Sequence, residues 1–294
     1  MTRQKNLPFF LFFIITTLLP AISPAADSVT WMEADAPPFF IHNGKYKGQG
    51  YENVVTDILK ENMPEYTHDT ITANLARHFY NFEQGQKVCN VGLYRTPERE
   101  KILYFSLPSF FTLPTVLVIK KDRYADFGGS KTIHLETLLK KGMIIGRAIK
   151  RSYGKDVDAV LDKYQDQNSL FIFEEDEFSH NFFQMLQLGR LDAMISLPEE
   201  AMYQAEKLGI KDTIMTLTIA ENQRGYDSWL SSVGCSKTEW GKKIIDKINS
   251  VLLTQRPTSR YREAYERWLE ASSLENYRKL YKEVFLQTTT PDIQ

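Results

Sequence analysis

The chain has few cysteines, scattered histidines and no surplus of either charge, and each shortage removes a class of function. Its two cysteines, at positions 89 and 235 of 294 residues, form no CxxC pair and exclude a thiol-rich zinc framework. The five histidines, His42, His68, His78, His134 and His180, show no metal-ligand spacing, so neither a metal nor a cofactor is expected. With 36 basic and 37 acidic side chains the formal charge is −1, which argues against nucleic-acid binding, where phosphate contacts need clustered Lys and Arg. Beyond the first thirty residues there is no apolar run of the roughly 20 residues that span a bilayer. Disorder is excluded by the 43% hydrophobic content, and the length suits about two ordinary domains.

What is present begins at the N-terminus. Arg3 and Lys5 precede an apolar run from Leu7 to Leu19, followed by Ser23, Ala25 and Ala26. A basic start, a short apolar stretch and a small-residue exit form a secretory signal peptide over residues 1–26. A membrane anchor is the alternative, but the run is short and Pro20 and Pro24 interrupt its end. Removing Arg3 and Lys5 leaves 34 basic against 37 acidic side chains, a charge of −3. The expected product is a soluble, exported monomer. In an oxidising compartment Cys89 and Cys235 can form a disulfide or remain two buried thiols.

Periodicity beyond that point alternates strands with helices, as in an α/β sheet domain. Val29–Met32 reads as a strand stopped by Pro37 and Pro38. A helix carries Val54, Val55, Ile58 and Leu59 on one face, and another runs from Leu75 to Glu83 before Gly85. Val88–Leu93 is a buried strand. The rhythm repeats with Thr115–Ile119, Leu135–Lys140, Met143–Gly146, Val157–Tyr164, and Leu191–Ile195 behind a helix that stops at Gly189. After Asp227 the pattern turns helical, with Pro257 between two amphipathic faces, and 287–294 is a polar tail.

One segment carries a motif. Thr96-Pro97-Glu98-Arg99, followed by Phe105-Ser106-Leu107-Pro108, resembles the extracellular solute-binding proteins of ABC importers, in the polar amino-acid group called family 3. Gly48-Gln49-Gly50-Tyr51-Glu52 and Gly189-Arg190-Leu191-Asp192-Ala193 stand in the order that family uses. The resemblance covers roughly residues 28–285. It implies a type II periplasmic-binding-protein fold of two α/β lobes, each a mostly parallel sheet flanked by helices. Lobe 1 would be discontinuous, 27–113 with 228–286, and lobe 2 would span 114–227.

The same resemblance gives Arg99 the grip on a ligand carboxylate, a geometry its planar fork suits. A helix cap by Thr96, with Pro97 at the first helical position, accounts for the block without a ligand, and both can hold together. Other candidates are Tyr94 as a stacking surface, Glu33 at the end of the first strand, Arg77 on a helix bordering the cleft, and Arg151 with Ser152 at the second-lobe turn. Departures concern the ligand. Amino-acid binders place an acid for the ammonium where this chain has Leu197, and Glu199 replaces it only if the loop is shifted. Lys150 and Arg151 stand where small residues are usual, which points to an anionic ligand or one without an ammonium. The acidic run Glu174–Glu177 reads as a favourable charge before a helix.

These features fit a binding protein that hands a small polar, carboxylate-bearing solute to an ABC-importer permease. Two other classes compete. One is an enzyme on the same scaffold, similar to cyclohexadienyl dehydratases, although no catalytic residue is assigned. The other is a detached ligand-sensing partner of a membrane receptor.

Overall fold

The computed structural model describes residues 27–148, 151–173, 180–222 and 225–289. The N-terminal segment 1–26, Lys150 and the run Glu174–Glu177 lie outside the described residues. Strands collect into two sheets with helices against them. The first contains β1 (Ser28–Glu33), β2 (Thr67–Thr72), β3 (Val88–Leu93), β4 (Leu103–Phe111) and, from far along the chain, β11 (Leu230–Ser236), in the order β2-β1-β3-β11-β4. The second contains β5 (Val116–Lys120), β6 (Thr132–Ile133), β7 (Ile145–Ala148), β8 (Leu170–Phe173), β9 (Ala193–Ser196) and β10 (Ile214–Ile219), in the order β6-β10-β5-β9-β7-β8.

Each sheet has one reversed strand. β11 runs antiparallel to both β3 and β4, and β5 runs antiparallel to both β9 and β10. The remaining neighbours are parallel, so both lobes are mostly parallel. The reversed strands are those by which the chain enters each lobe after a crossover. β5 follows the outgoing crossover after Phe111, and β11 follows the return.

The cores follow from strand alternation. On β5, Leu117 and Ile119 face a cluster with Leu135, Leu138, Val157 and Leu161 of α4 (Leu135–Lys140) and α5 (Lys155–Lys163). Val116 and Val118 face Phe182, Phe183 and Leu186 of α6 (His180–Gln187) and Met202 and Ala205 of α7 (Pro198–Leu208). A strand apolar on both faces is what a sheet covered on both sides requires. In the first lobe, α1 (Tyr51–Glu61) buries Val55, Ile58 and Leu59 against β1 and β3. The face of α2 (Leu75–Glu83) buries Phe82. Three helices follow β11: α8 (Glu239–Gln255), α9 (Ser259–Glu266) and α10 (Leu274–Leu280). Thr238 and Thr258 cap the first two, and Ile244, Ile248, Tyr261, Tyr265 and Tyr277 join the first lobe's core. Among the described residues no helix is long and apolar enough to cross a membrane.

β2, β4, β6, β8 and β10 are not among the strands legible in the sequence. β2 reads Thr-His-Asp-Thr-Ile-Thr and is mostly exposed at a sheet edge, so it carries no apolar signal. The helix at 155–163 begins two residues before the expected start at Val157, because its first turn is polar.

Cys89 on β3 and Cys235 on β11 are directly paired in the antiparallel register and joined by a disulfide, with their Cα atoms 4.1 Å apart. Of the two alternatives left open for these residues, the bond is therefore the one the structure holds. It closes a loop of 146 residues, and restricting an unfolded loop of that size is worth about 5 kcal/mol in the chain-entropy model. Replacing both cysteines by alanine is expected to lower the melting temperature by on the order of 10 °C, measured by differential scanning calorimetry. An unchanged melting temperature would remove the bond from the stability account.

Candidate functional site

The site grows from the end of β3. Leu93 is the last strand residue, and Tyr94-Arg95-Thr96 leads into a single helical turn, α3 (Pro97–Glu100). Thr96 Oγ1 accepts the Arg99 N–H at 3.3 Å, and proline occupies the start of the turn. The cap and the presentation of Arg99 are thus one device. Arg99 Nη1 donates to the Tyr94 carbonyl at 2.7 Å, and its guanidinium lies 5.1 Å above the Phe79 ring of α2. Partial burial pulls its pKa below the ordinary arginine value. Among the described residues no carboxylate is within ion-pair distance of Arg99, whereas Arg95 on the same turn pairs with Glu100.

Tyr94 faces a cavity of about 640 Å³, a volume suited to a small molecule. Its other walls come from the start of α5 (Arg151, Ser152, Gly154 and Lys155), from Leu197 after β9, and from Asn222 and Trp229 on the return crossover. Gly154 has φ +102°, and a Cβ there would press on Asn222 Oδ1. Glycine thus lets Asn222 sit against the helix start, where its Nδ2 donates to Thr115 Oγ1 and, at 3.1 Å, to the Tyr153 carbonyl. That side chain ties the return crossover to the outgoing one. Neither Asn222 nor Trp229 was singled out from sequence. Both lie well over a hundred residues from Tyr94, and nothing local marks them.

Several expected site residues are engaged elsewhere. Arg151 does line the cavity, but its Nη2 donates to Glu200 Oε2 at 2.6 Å. The base gained at this turn is therefore met by an acid from the first turn of α7, which weakens the case that it faces an anionic ligand alone. Ser152 Oγ donates to Asp158 at 2.5 Å, and Asp158 also accepts the Tyr153 N–H at 2.8 Å, so this hydroxyl braces the helix start. Arg77 is exposed on α2 with its guanidinium 5.2 Å from the Tyr80 ring, outside the cavity. Glu33 is buried below the first-lobe edge, where Oε2 accepts from Asn53 Nδ2 at 3.5 Å and lies 3.7 Å from His42 Nδ1.

Glu199 is not in the cavity wall. It is fully buried, and its Oε2 accepts the Tyr265 hydroxyl at 2.8 Å. That hydroxyl also accepts the Leu113 N–H at 3.0 Å on the outgoing crossover. Glu199, expected to replace a missing ammonium acceptor only with a shifted loop, thus has its Oε2 turned toward the crossover and lines no part of this cavity. Burial, aided by Glu200, pushes its pKa up to about 8. Glu52 on α1, quoted only as part of a turn in the sequence, behaves similarly. Burial and the neighbouring Glu33 raise its pKa to about 8. A Cβ at position 92 would collide with its carboxyl, so the glycine of β3 makes room for it. Among the described residues no group of three or more His, Cys, Asp or Glu is arranged to hold a metal ion.

Two sheets with one reversed strand each, a double crossover and a cavity at that crossover define a two-lobed α/β binding fold. The model of the bacterial extracellular solute-binding proteins, family 3, matches residues 29–271, and the chain belongs to that family. Solved structures share the fold at low identity. Substrate-binding domain 2 of GlnP from Lactococcus lactis, in an open conformation, is 13% identical with a TM-score of 0.60, covering 85% of this chain and 97% of that one. An ancestral cationic amino acid solute-binding protein is 19% identical with a TM-score of 0.60, covering 83% and 96%. An arginine-specific periplasmic binding protein from Salmonella typhimurium is 16% identical with a TM-score of 0.52, covering 84% and 100%. No curated protein sequence matches the chain.

The buried carboxyls set a pH dependence. A carboxyl whose folded pKa lies above its ordinary value binds its proton more tightly when folded. It therefore contributes stability that is present at low pH and lost as pH rises from 4.5 through about 8. Glu199→Gln, which keeps a neutral group there, is expected to flatten the decline in melting temperature between pH 5 and 9, leaving the share due to Glu52. An unaltered pH profile in this variant would contradict the assignment.

Proposed function

We propose that this family member is an exported, periplasmic, monomeric protein that captures a small carboxylate-bearing solute between its lobes and delivers it to an ABC-importer permease. Its lobes are 27–113 with 228–286, and 114–227. The observation that carries this reading is Arg99, a partly desolvated guanidinium fixed by a backbone carbonyl and an aromatic face, with no carboxylate partner among the described residues. Such a group gains most from an incoming carboxylate, because the cost of holding it still has already been met by the fold. Tyr94 links it to the cavity, and Thr96 fixes its turn. The amino acids named for the structural neighbours belong to those proteins; here Leu197 occupies the place of the ammonium acceptor.

A second reading, an enzyme on the same scaffold, draws on the Glu33–Glu52 pair, since burial raises the pKa of both carboxyls and such tuned groups suit acid–base work. Turnover of a cyclohexadienyl acid by the purified protein, lost in Glu52→Gln, is the outcome that would favour it. A detached sensing role would appear as retention on membranes lacking the permease.

For the leading reading, small carboxylates are expected to raise the melting temperature in a thermal-shift screen. Arg99→Ala is expected to weaken that binding by roughly 10- to 100-fold, the worth of one charge-assisted contact, with Arg99→Lys intermediate. Full affinity in Arg99→Ala, by calorimetry, would refute the role of this residue.

A further inference from the structure

α7 is shared between the two lobes. Ala201, Met202 and Ala205 pack it onto the second sheet, in the cluster with Val116 and Val118. Glu199, Tyr203 and Glu206, spaced i, i+4 and i+7, form a different stripe of the same helix, and that stripe rests on the first lobe. Glu199 Oε2 accepts the Tyr265 hydroxyl of α9 at 2.8 Å. Tyr203 is 8% exposed and belongs to the first lobe's core cluster, its ring 5.4 Å from Trp268 and 6.5 Å from Tyr46. Glu206 Oε1 accepts the Tyr46 hydroxyl at 2.7 Å. Trp268 Nε1 in turn donates to the Gln49 carbonyl at 3.2 Å, so the surface that receives the stripe is itself tied down.

The two carboxyls of this stripe need opposite protonation states. Glu199 is fully buried, and its Oε1 has no hydrogen-bond partner among the described residues. Such a group is costly to bury as an anion and much less so with its proton. The titratable groups acting on it are Glu200 of its own helix, Arg151 before α5, Tyr265 of α9, Tyr51 of α1 and Tyr94 after β3. Of these, Glu200 adds to the effect of burial and Arg151 opposes it. Glu206 is the reverse case. Its bond from Tyr46, then Lys211 at 3.2 Å, holds its carboxyl below the ordinary value, with Lys45 adding to the same effect.

We infer that the Glu199–Tyr203–Glu206 stripe is a proton-held clasp between the lobes: with Glu199 protonated α7 stays docked on α9 and Trp268, and loss of that proton releases it. Docking raises the folded pKa of Glu199 from 4.5 to about 8, so the docked arrangement is favoured at low pH and weakened as pH rises through that range. Lys45 and Lys207, both exposed, line one cavity of about 550 Å³ between the loop before α1 and α7. A short covalent bridge between these two amines therefore reports the docked arrangement. Lys140 and Lys163, which both pair with Glu136 inside the second lobe, supply a standard that shares the pH dependence of amine reactivity.

The test is brief crosslinking of the purified protein with a disuccinimidyl reagent, read by mass spectrometry as the ratio of the Lys45–Lys207 bridge to the Lys140–Lys163 bridge. The ratio is expected to fall several-fold between pH 7 and pH 9.5, and to stay level over that range in Glu199→Gln. Tyr46→Phe, which removes one hydroxyl at the other end of the stripe, is expected to lower it roughly two- to tenfold at pH 7 while keeping the decline with pH. A level ratio in the unaltered protein would overturn the control by a proton. An equal decline in Glu199→Gln would overturn its assignment to Glu199, and an unchanged ratio in Tyr46→Phe at pH 7 would overturn the clasp. If Glu199→Gln failed to fold, the standard bridge would disappear with it, and the pH series of the unaltered protein together with Tyr46→Phe would still decide.

Discussion

β11 inserts between β3 and β4, and the rest of the molecule depends on that insertion. Until it arrives, the first sheet lacks the strand that hydrogen-bonds both neighbours, β3 by one edge and β4 by the other. Because β11 comes from the far side of the second lobe, the first lobe can be completed only after the intervening chain has been laid down. The same strand brings the C-terminal helices back, so that Ile244, Tyr261 and Tyr277 fill a core begun by Val29 and Trp31. Two crossovers must then run side by side, and the cavity lies where they do. Contacts of such long sequence separation cost loop-closure entropy before they repay it, and the Cys89–Cys235 bond is placed at this strand pair.

The hinge region is held by polar contacts rather than by packing alone. Asn222 joins the return crossover to Thr115 and Tyr153, and Glu199 receives Tyr265 beside Leu113. A further bridge, from the Tyr46 hydroxyl to Glu206 Oε1 at 2.7 Å, links the loop before α1 to α7. The first turn of α7 therefore faces two ways. Glu200 reaches the cavity through Arg151, while Glu199 reaches the crossover through Tyr265. That turn joins the cavity wall to the crossover through two adjacent side chains.

Most of the fold was legible where the sequence is locally regular. The strand at 88–93 and the helices at 75–83 and 135–140 coincide with the periodic segments, because each buries a face that repeats at its own spacing. β2 was not legible, since a polar edge strand is fixed by its neighbour β1 rather than by its own side chains. For the site, the Thr-Pro-Glu-Arg block gave both its cap and the placement of Arg99, as local interactions within five residues should. Orientation was another matter. Whether Arg151 is free or paired depends on Glu200, and whether Glu199 faces ligand or hinge depends on Tyr265. These partners lie 49 and 66 residues away, at distances where pattern carries no information about direction. Glu52 stayed hidden because a helical glutamate ordinarily points to water, and only the bare Cα of Gly92 makes its burial possible.

The disulfide also imposes a timetable. With a single pair of cysteines separated by 146 residues, a chain that crosses a membrane N-terminus first presents Cys89 to the oxidising side long before Cys235. Under the export proposed above, the first thiol would wait, with no other thiol in the chain to pair with, until Cys235 followed, so that oxidation would come only after the return strand.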